Sequence, residues 1–267
     1  MGIIKNWLVT GDTHQEFSRL DRVPNEEDVG VIILGDAGFN FYIYNNYDHR
    51  WKKKITKSYK FTIYCVRGNH EARPQEVSGM ISEWDDNVCG YVYYQKEYPR
   101  IRYFKDYGLY SIISYNYKKD INNHFIIAVI GGAYSVDKYY RLRRAGITER
   151  DNDPAKSGWW NNEQLSEFER INCRRKFHGE YIDFVFSHTC PLSWQPTDMF
   201  LDVVTDPIDS SMEKWLDELK EKFHWQAWAF GHYHIDRVIA PGIECYFKDI
   251  SNVQDILRRK ELSNNVE

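Results

Sequence analysis

No apolar run in the 267-residue chain approaches the roughly 20 residues that span a bilayer, which excludes a membrane helix from the expectations. The N-terminal segment Met1-Gly2-Ile3-Ile4-Lys5-Asn6-Trp7 lacks a basic stretch followed by a long apolar core, so no signal peptide is read there. Closely spaced cysteines are missing as well. The five stand at 65, 89, 173, 190 and 245, an odd number, and no pair has the spacing of a zinc site or redox motif. A reduced, cytoplasmic chain is therefore expected. Net charge is small, −4, and neither demands nor excludes a nucleic-acid partner, because charge clustered on one face still acts. Repeats and low-complexity linkers are absent, which leaves one domain over residues 1–250 and a polar C-terminal tail over 251–267.

What is present suits an ordinary globular protein: 42% of residues are hydrophobic and 28% charged, in a chain long enough for a sizeable core. Aromatic content is high, with 20 Tyr and 9 Trp, chiefly as amphipathic packing material and secondarily as stacking surface for a base or sugar. Residues 3–10, 29–34 and 61–66 are continuous apolar runs with glycine stops, the pattern of strands buried on both faces. A crossover helix is expected over 42–59, which makes the first third β-α-β. Residues 91–94, 101–105 and 109–115 alternate between turn signals and read as antiparallel strands. Strands are further expected at 124–130, 181–186 and 226–230, and helices at 161–177 and 210–223. Residues 135–160 read as irregular, 189–207 as a loop with three prolines, and the tail as helical and then frayed.

Five of the expected strands end in a small polar sequence: Gly11-Asp12-Thr13-His14, Gly35-Asp36, Gly68-Asn69-His70-Glu71, Ser187-His188 and Gly231-His232-Tyr233-His234. Each alone is ordinary turn chemistry. Together they matter, because ligands gather at the carboxyl ends of strands in open α/β sheets, where distant loops converge. Asp12, His14, Asp36, Asn69, His188, His232 and His234 offer carboxylate, imidazole and amide oxygen without thiolate, a set suited to Mn²⁺, Fe or Zn²⁺. Two metals about 3.5–4 Å apart need a shared carboxylate, and a central Asp is suited to bridge them.

The ordered set resembles the calcineurin-like metallophosphoesterase superfamily over residues 12–234. The resemblance implies an α/β fold, a four-layer αββα sandwich of two mixed β-sheets flanked by helices, with a dinuclear metal centre. It implies that Asp12, His14, Asp36 and His234 hold one ion, and that Asp36 as bridge, with Asn69, His188 and His232, holds the other. It implies that His70 protonates the leaving oxygen or steadies the transition state, with Glu71 one candidate to orient it. Two divalent ions are the expected cofactors, Mn²⁺ first, with Fe, Zn²⁺ or Ni²⁺ as alternatives.

Arg67-Gly68-Asn69-His70-Glu71 looks most like the serine/threonine protein phosphatases. Those enzymes extend the second motif with an Asp-Arg pair, whereas here Gly35-Asp36-Ala37-Gly38-Phe39-Asn40 stands, which argues against a protein phosphatase. The stretch 131–137 with Arg141, Arg143, Arg144, Trp159 and Trp160 is a candidate specificity wall. Tyr134 and Arg73 are the residues in it and near it expected to meet substrate. The expected activity is hydrolysis of a phosphomonoester or phosphodiester, on a phosphorylated small molecule or nucleotide, by metal-activated water. A nuclease for short nucleic acids with the same centre is the rival, and a non-catalytic scaffold a weaker one.

Overall fold

The computed structural model describes residues 2–43, 46–116, 121–200 and 206–264. Residues 44–45 of the crossover segment, 201–205 of the three-proline loop and 265–267 of the tail lie outside the described residues.

The first sheet contains β1 (Asn6–Thr10), β2 (Val29–Ile33), β3 (Thr62–Cys65), β4 (Met80–Asp85), β5 (Gly90–Gln95) and β6 (Ile101–Tyr103). The second contains β7 (Tyr107–Asn116), β8 (Ile121–Ile130), β9 (Tyr181–Ser187), β10 (His224–Phe230), β11 (Arg237–Ala240) and β12 (Ile243–Cys245), and β13 (Ile250–Asn252) returns to the first. The strand orders are β13-β1-β2-β3-β6-β5-β4 and β11-β12-β10-β9-β8-β7. The middle of each sheet is parallel, β1-β2-β3-β6 and β12-β10-β9-β8, with antiparallel strands at the edges. Among the described residues there are six α-helices: α1 (Tyr47–Ser58), α2 (Lys138–Ala145), α3 (Pro154–Ser157), α4 (Glu167–Phe177), α5 (Ser211–Lys220) and α6 (Val253–Asn264).

The central strands are apolar throughout because both of their faces are covered. On β1, Trp7 and Val9 face an inner core shared by the two sheets. On β2 and β3, Val31, Ile33, Ile63 and Cys65 face an outer core with Ile55 of α1, while Ile32 and Tyr64 face inward. Phe184 and Phe186 enter the inner core from the second sheet. That sheet's outer face packs against Phe177 of α4 and Leu216 of α5. The result is four layers, helix on sheet on sheet on helix. Each large apolar side chain so buried contributes about 1.5–3 kcal/mol.

Several details differ from the sequence reading. The run at 109–115 lies in β7, which pairs with β8 in the other sheet and not with β6, because the chain changes sheet at Asp106. The carboxylate there is held by Arg67 Nε at 2.6 Å and Arg73 Nη1 at 2.8 Å. The stretch 135–160 contains α2 and α3. The helix expected from 161 starts at Glu167, where Ser166 and Glu169 form a reciprocal capping box. The tail is helical as expected, and its Val253 and Ile256 are buried in the inner core. All five cysteines are unpaired, and no helix among the described residues is long and apolar enough to cross a membrane.

Candidate metal centre

The turns after β1, β2 and β3 carry Asp12, His14, Asp36, Asn69 and His70. Those after β9 and β10 carry His188, His232 and His234, so the group straddles the seam between the sheets. Its backbone is strained. Six described non-glycine residues have positive φ, and four are candidate donors: His14 at 45°, Asp36 at 45°, His232 at 70° and His234 at 54°. Such conformations cost of order 1–3 kcal/mol and persist where surroundings over-determine them. Here the turns lock one another: His14 N donates to Asp36 O, His70 N to Asp36 Oδ1 and His232 N to Asp12 Oδ1, each at 2.9 Å. Two strand-end glycines admit these carboxylates. A Cβ on Gly68 would stand 1.9 Å from Asp36 Oδ1, and one on Gly231 2.2 Å from Asp12 Oδ1.

Asp12 Oδ2 lies 3.6 Å from His14 Nε2 and 3.5 Å from His234 Nε2, and those two nitrogens are 2.9 Å apart. Asp36 Oδ2 lies 3.6 Å from His188 Nε2 and 3.9 Å from His14 Nε2, so it spans the two halves of the cluster. Donor atoms of Asp12, His14 and His234 fall within 4.8 Å of one another, as do those of Asp12, Asp36 and His188. The His232 ring stands edge-on to His188 with centroids 5.0 Å apart.

Burial dominates the protonation of the cluster. It pushes Asp36 well above the usual carboxylate range. It acts on Asp12 in the same sense, but the neighbouring imidazoles, His188 first and then His14 and His234, overcome it and hold Asp12 well below that range. Burial lowers His188 and, with His188 beside it, brings His232 down to about 3. It also lowers His70 strongly, followed by the charge of Arg141. Neutral imidazole is the form that ligates metal.

The hydrogen bonds test whether a cation fits. Leu34 O can only accept, so the His188 Nδ1 that lies 2.8 Å from it carries the proton and Nε2 holds a lone pair. Asn69 Nδ2 spends its two hydrogens on Ser135 Oγ at 2.7 Å and His70 Nε2 at 3.2 Å. Ser135 Oγ in turn donates to the Glu163 carboxylate, which fixes the amide with its oxygen on the other side. That oxygen faces His188 Nε2 at 2.8 Å, acceptor against acceptor. Asp12 Oδ2 is buried with no hydrogen-bond partner. Converging lone pairs without a proton between them are what a divalent cation satisfies.

A family model described as calcineurin-like phosphoesterase matches residues 6–236. The chain belongs to that family. A comparison with curated proteins finds no match. As a calcineurin-like phosphoesterase it is a metal-dependent hydrolase of phosphoester bonds, and its Asp and His clusters are candidates for the divalent ions.

The remaining candidates of this phosphoesterase are placed differently. Arg73 is nearly buried and tied to Asp106, Glu169 and the carbonyls of Asn162 and Gln164, partners that occupy its guanidinium. Tyr134 is buried, donates to Pro207 O at 2.9 Å and lines a separate cavity of about 380 Å³ to which no candidate ligand contributes. Glu71 accepts from Gly38 N at 2.9 Å and Gly68 N at 3.3 Å, so it holds the second and third turns together and does not orient His70. Of the proposed wall, Trp159 and Trp160 are buried and Arg143 pairs with Asp206, while Arg141 and Arg144 line a cleft with Phe41. Glu163 and Asp106 escaped the sequence reading, and Ser135 was read only as part of the wall, because no local pattern marks a partner 28, 39 or 66 residues away.

Proposed function

We propose that the protein hydrolyses a phosphomonoester or phosphodiester at a dinuclear centre. Asp12, His14, Asp36 and His234 hold one ion, and Asp36, Asn69, His188 and His232 the other. Mn²⁺ is the ion of choice for this nitrogen and oxygen set, with Fe, Zn²⁺ or Ni²⁺ as alternatives. When bound, the ions supply Lewis acidity and an activated water near neutral pH. The chain's own residues do the rest. Asp12 and Asp36 contribute charge, and the Leu34 carbonyl and the Ser135–Glu163 pair aim His188 and Asn69. His70 accepts from Asn69 through Nε2, so its Nδ1 bears a hydrogen, and that atom is buried without a partner in the fold. It is assigned to the departing oxygen or a phosphoryl oxygen of the substrate. Cytoplasmic residence is proposed with this function, in keeping with five unpaired thiols.

The observation that carries the reading is the 2.8 Å approach of two acceptors, His188 Nε2 and Asn69 Oδ1. Elemental analysis after reloading with Mn²⁺ is expected to find about two ions per chain. Asp36→Asn should weaken both sites and abolish turnover, whereas His188→Ala should weaken chiefly one. A metal content near zero under every loading condition, or an Asp36→Asn protein that keeps both ions and near-normal turnover, overturns the reading.

A further inference from the structure

A cleft of about 570 Å³ opens beside the metal centre, a volume within the range that holds small molecules. Phe41 joins the two: it lines the cleft, and its ring centroid lies 5.7 Å from that of His14 and 6.3 Å from that of His70. Arg141, Arg144 and Lys156 line it against one carboxylate, Asp137, a local excess of positive charge in a chain of net charge −4. Arg141 is built in. Its Nε donates to Asp137 Oδ2 at 2.6 Å and its Nη1 to Gly158 O at 3.1 Å, while Nη2 makes no bond among the described residues. Arg144 makes no ion pair or side-chain hydrogen bond among the described residues, and Lys156 reaches only Asp153, at 3.7 Å on the surface. The neighbouring Arg143 is neutralised through two bonds to Asp206. The cations on the cleft side are thus the ones left for something else. Aromatic faces line the same space: Tyr42 and Tyr140 are 47% and 58% exposed, which leaves ring surface at the cleft accessible to a ligand.

The scissile phosphate is already provided for at the metal centre, so cations on a cleft that shares Phe41 with that centre call for a second anion on the same molecule. We propose that the substrate is a nucleotide carrying a second phosphate. Its scissile ester sits at the metals, its base lies against Phe41, Tyr42 or Tyr140, and its other phosphate meets Arg141, Arg144 and Lys156. In the reaction a water oxygen bonds to phosphorus, the ester P–O bond breaks, and the departing oxygen takes up a proton. A nucleoside that keeps its remaining phosphate is released with inorganic phosphate. The inference rests on the phosphoesterase reading but is tested separately from it.

The experiment compares adenosine 3′,5′-bisphosphate, ribose 1,5-bisphosphate and p-nitrophenyl phosphate on Mn²⁺-loaded protein. For wild type, kcat/KM should be highest for adenosine bisphosphate. In Arg144→Ala/Lys156→Ala, shown to be folded by circular dichroism, the ratio of adenosine bisphosphate to p-nitrophenyl phosphate should fall about tenfold or more. Tyr140→Ala should lower the preference for adenosine over ribose bisphosphate. An unchanged ratio in the double variant, or equal rates for ribose and adenosine bisphosphates in wild type, overturns the proposal and leaves the phosphoesterase reading standing. If none of the three esters is turned over, that reading fails instead. The cleft is then judged by calorimetric binding of adenosine 3′,5′-bisphosphate, where a dissociation constant no weaker in the double variant than in wild type overturns it.

Discussion

Ser135 offers no atom to a metal, yet it decides which way the Asn69 amide points, because its hydroxyl sits between Asn69 Nδ2 and Glu163. Outer partners of this kind typically change metal affinity 10–100-fold. Ser135→Ala should therefore weaken binding of one ion by roughly that factor while the fold survives, as a metal titration would read. Equal affinity at both sites would show that Asn69 needs no guide. Glu163 has a further signature, since burial raises its pKa to about 7. The folded protein keeps a proton that the unfolded chain gives up near 4.5, so folding takes up a proton between those values. Stability should fall as pH rises from about 4.5 to 7 and level off outside that window. Asp48, also raised to about 7 by burial, adds to the same slope. Glu163→Gln should flatten part of it in denaturant titrations at several pH values, and an unaltered slope would refute the assignment. His70 is tested by its leaving groups. General-acid help is worth about 10²–10⁴-fold and matters most for a poor leaving group. His70→Ala should keep its metals and lose far more activity on alkyl than on nitrophenyl esters. Equal losses would favour a phosphoryl-binding role.

Between β6 and β7 the chain steps from one sheet to the other, and the buried network of Arg67, Asp106 and Arg73 pins the step. Removing one partner of such a network leaves an uncompensated charge and costs about 3–5 kcal/mol. Arg73→Ala should thus show a large loss of stability in chemical denaturation. A protein of wild-type stability with a raised KM would instead restore Arg73 to the substrate. The strands that present the centre were legible beforehand, because β1, β2, β3, β9 and β10 are apolar on both faces and stop at small polar turns. The candidate ligand types could be read for the same reason, as chemistry concentrated at those stops. The edges were not. β4 is largely solvent-facing, and β11, β12 and β13 run only three or four residues, too short for a period to declare itself. Helix α2 was read as irregular because its arginines and tyrosines leave only Lys138 and Leu142 buried. The partners of Arg73 and Tyr134 were not legible, because sequence neighbourhood to a motif says nothing of the groups that the far side of the fold supplies.

Across the whole molecule the candidate ligands divide between the sheets: Asp12, His14, Asp36 and Asn69 on one, His188, His232 and His234 on the other. Ions held by both would join the two layers, so binding should appear as stability. At a concentration 100 times the dissociation constant a ligand adds about 2.7 kcal/mol, and in a domain this large each kcal/mol moves the midpoint by about 2–4 °C. Chelation should lower Tm by about 5–10 °C and added Mn²⁺ should restore it; a midpoint indifferent to both would argue against a seam held by metal. The sheet order has another consequence. β1 takes as its outer neighbour β13, which follows it by about 240 residues in the chain, and three of the seven candidate donors stand beyond residue 187. On the ribosome, where chains emerge N-terminal end first, β1 keeps an open edge, and its sheet carries only four of the seven candidate donors, until β9, β10 and β13 have followed. Closure of the first sheet and assembly of the candidate centre therefore both wait on segments that lie far downstream of β1.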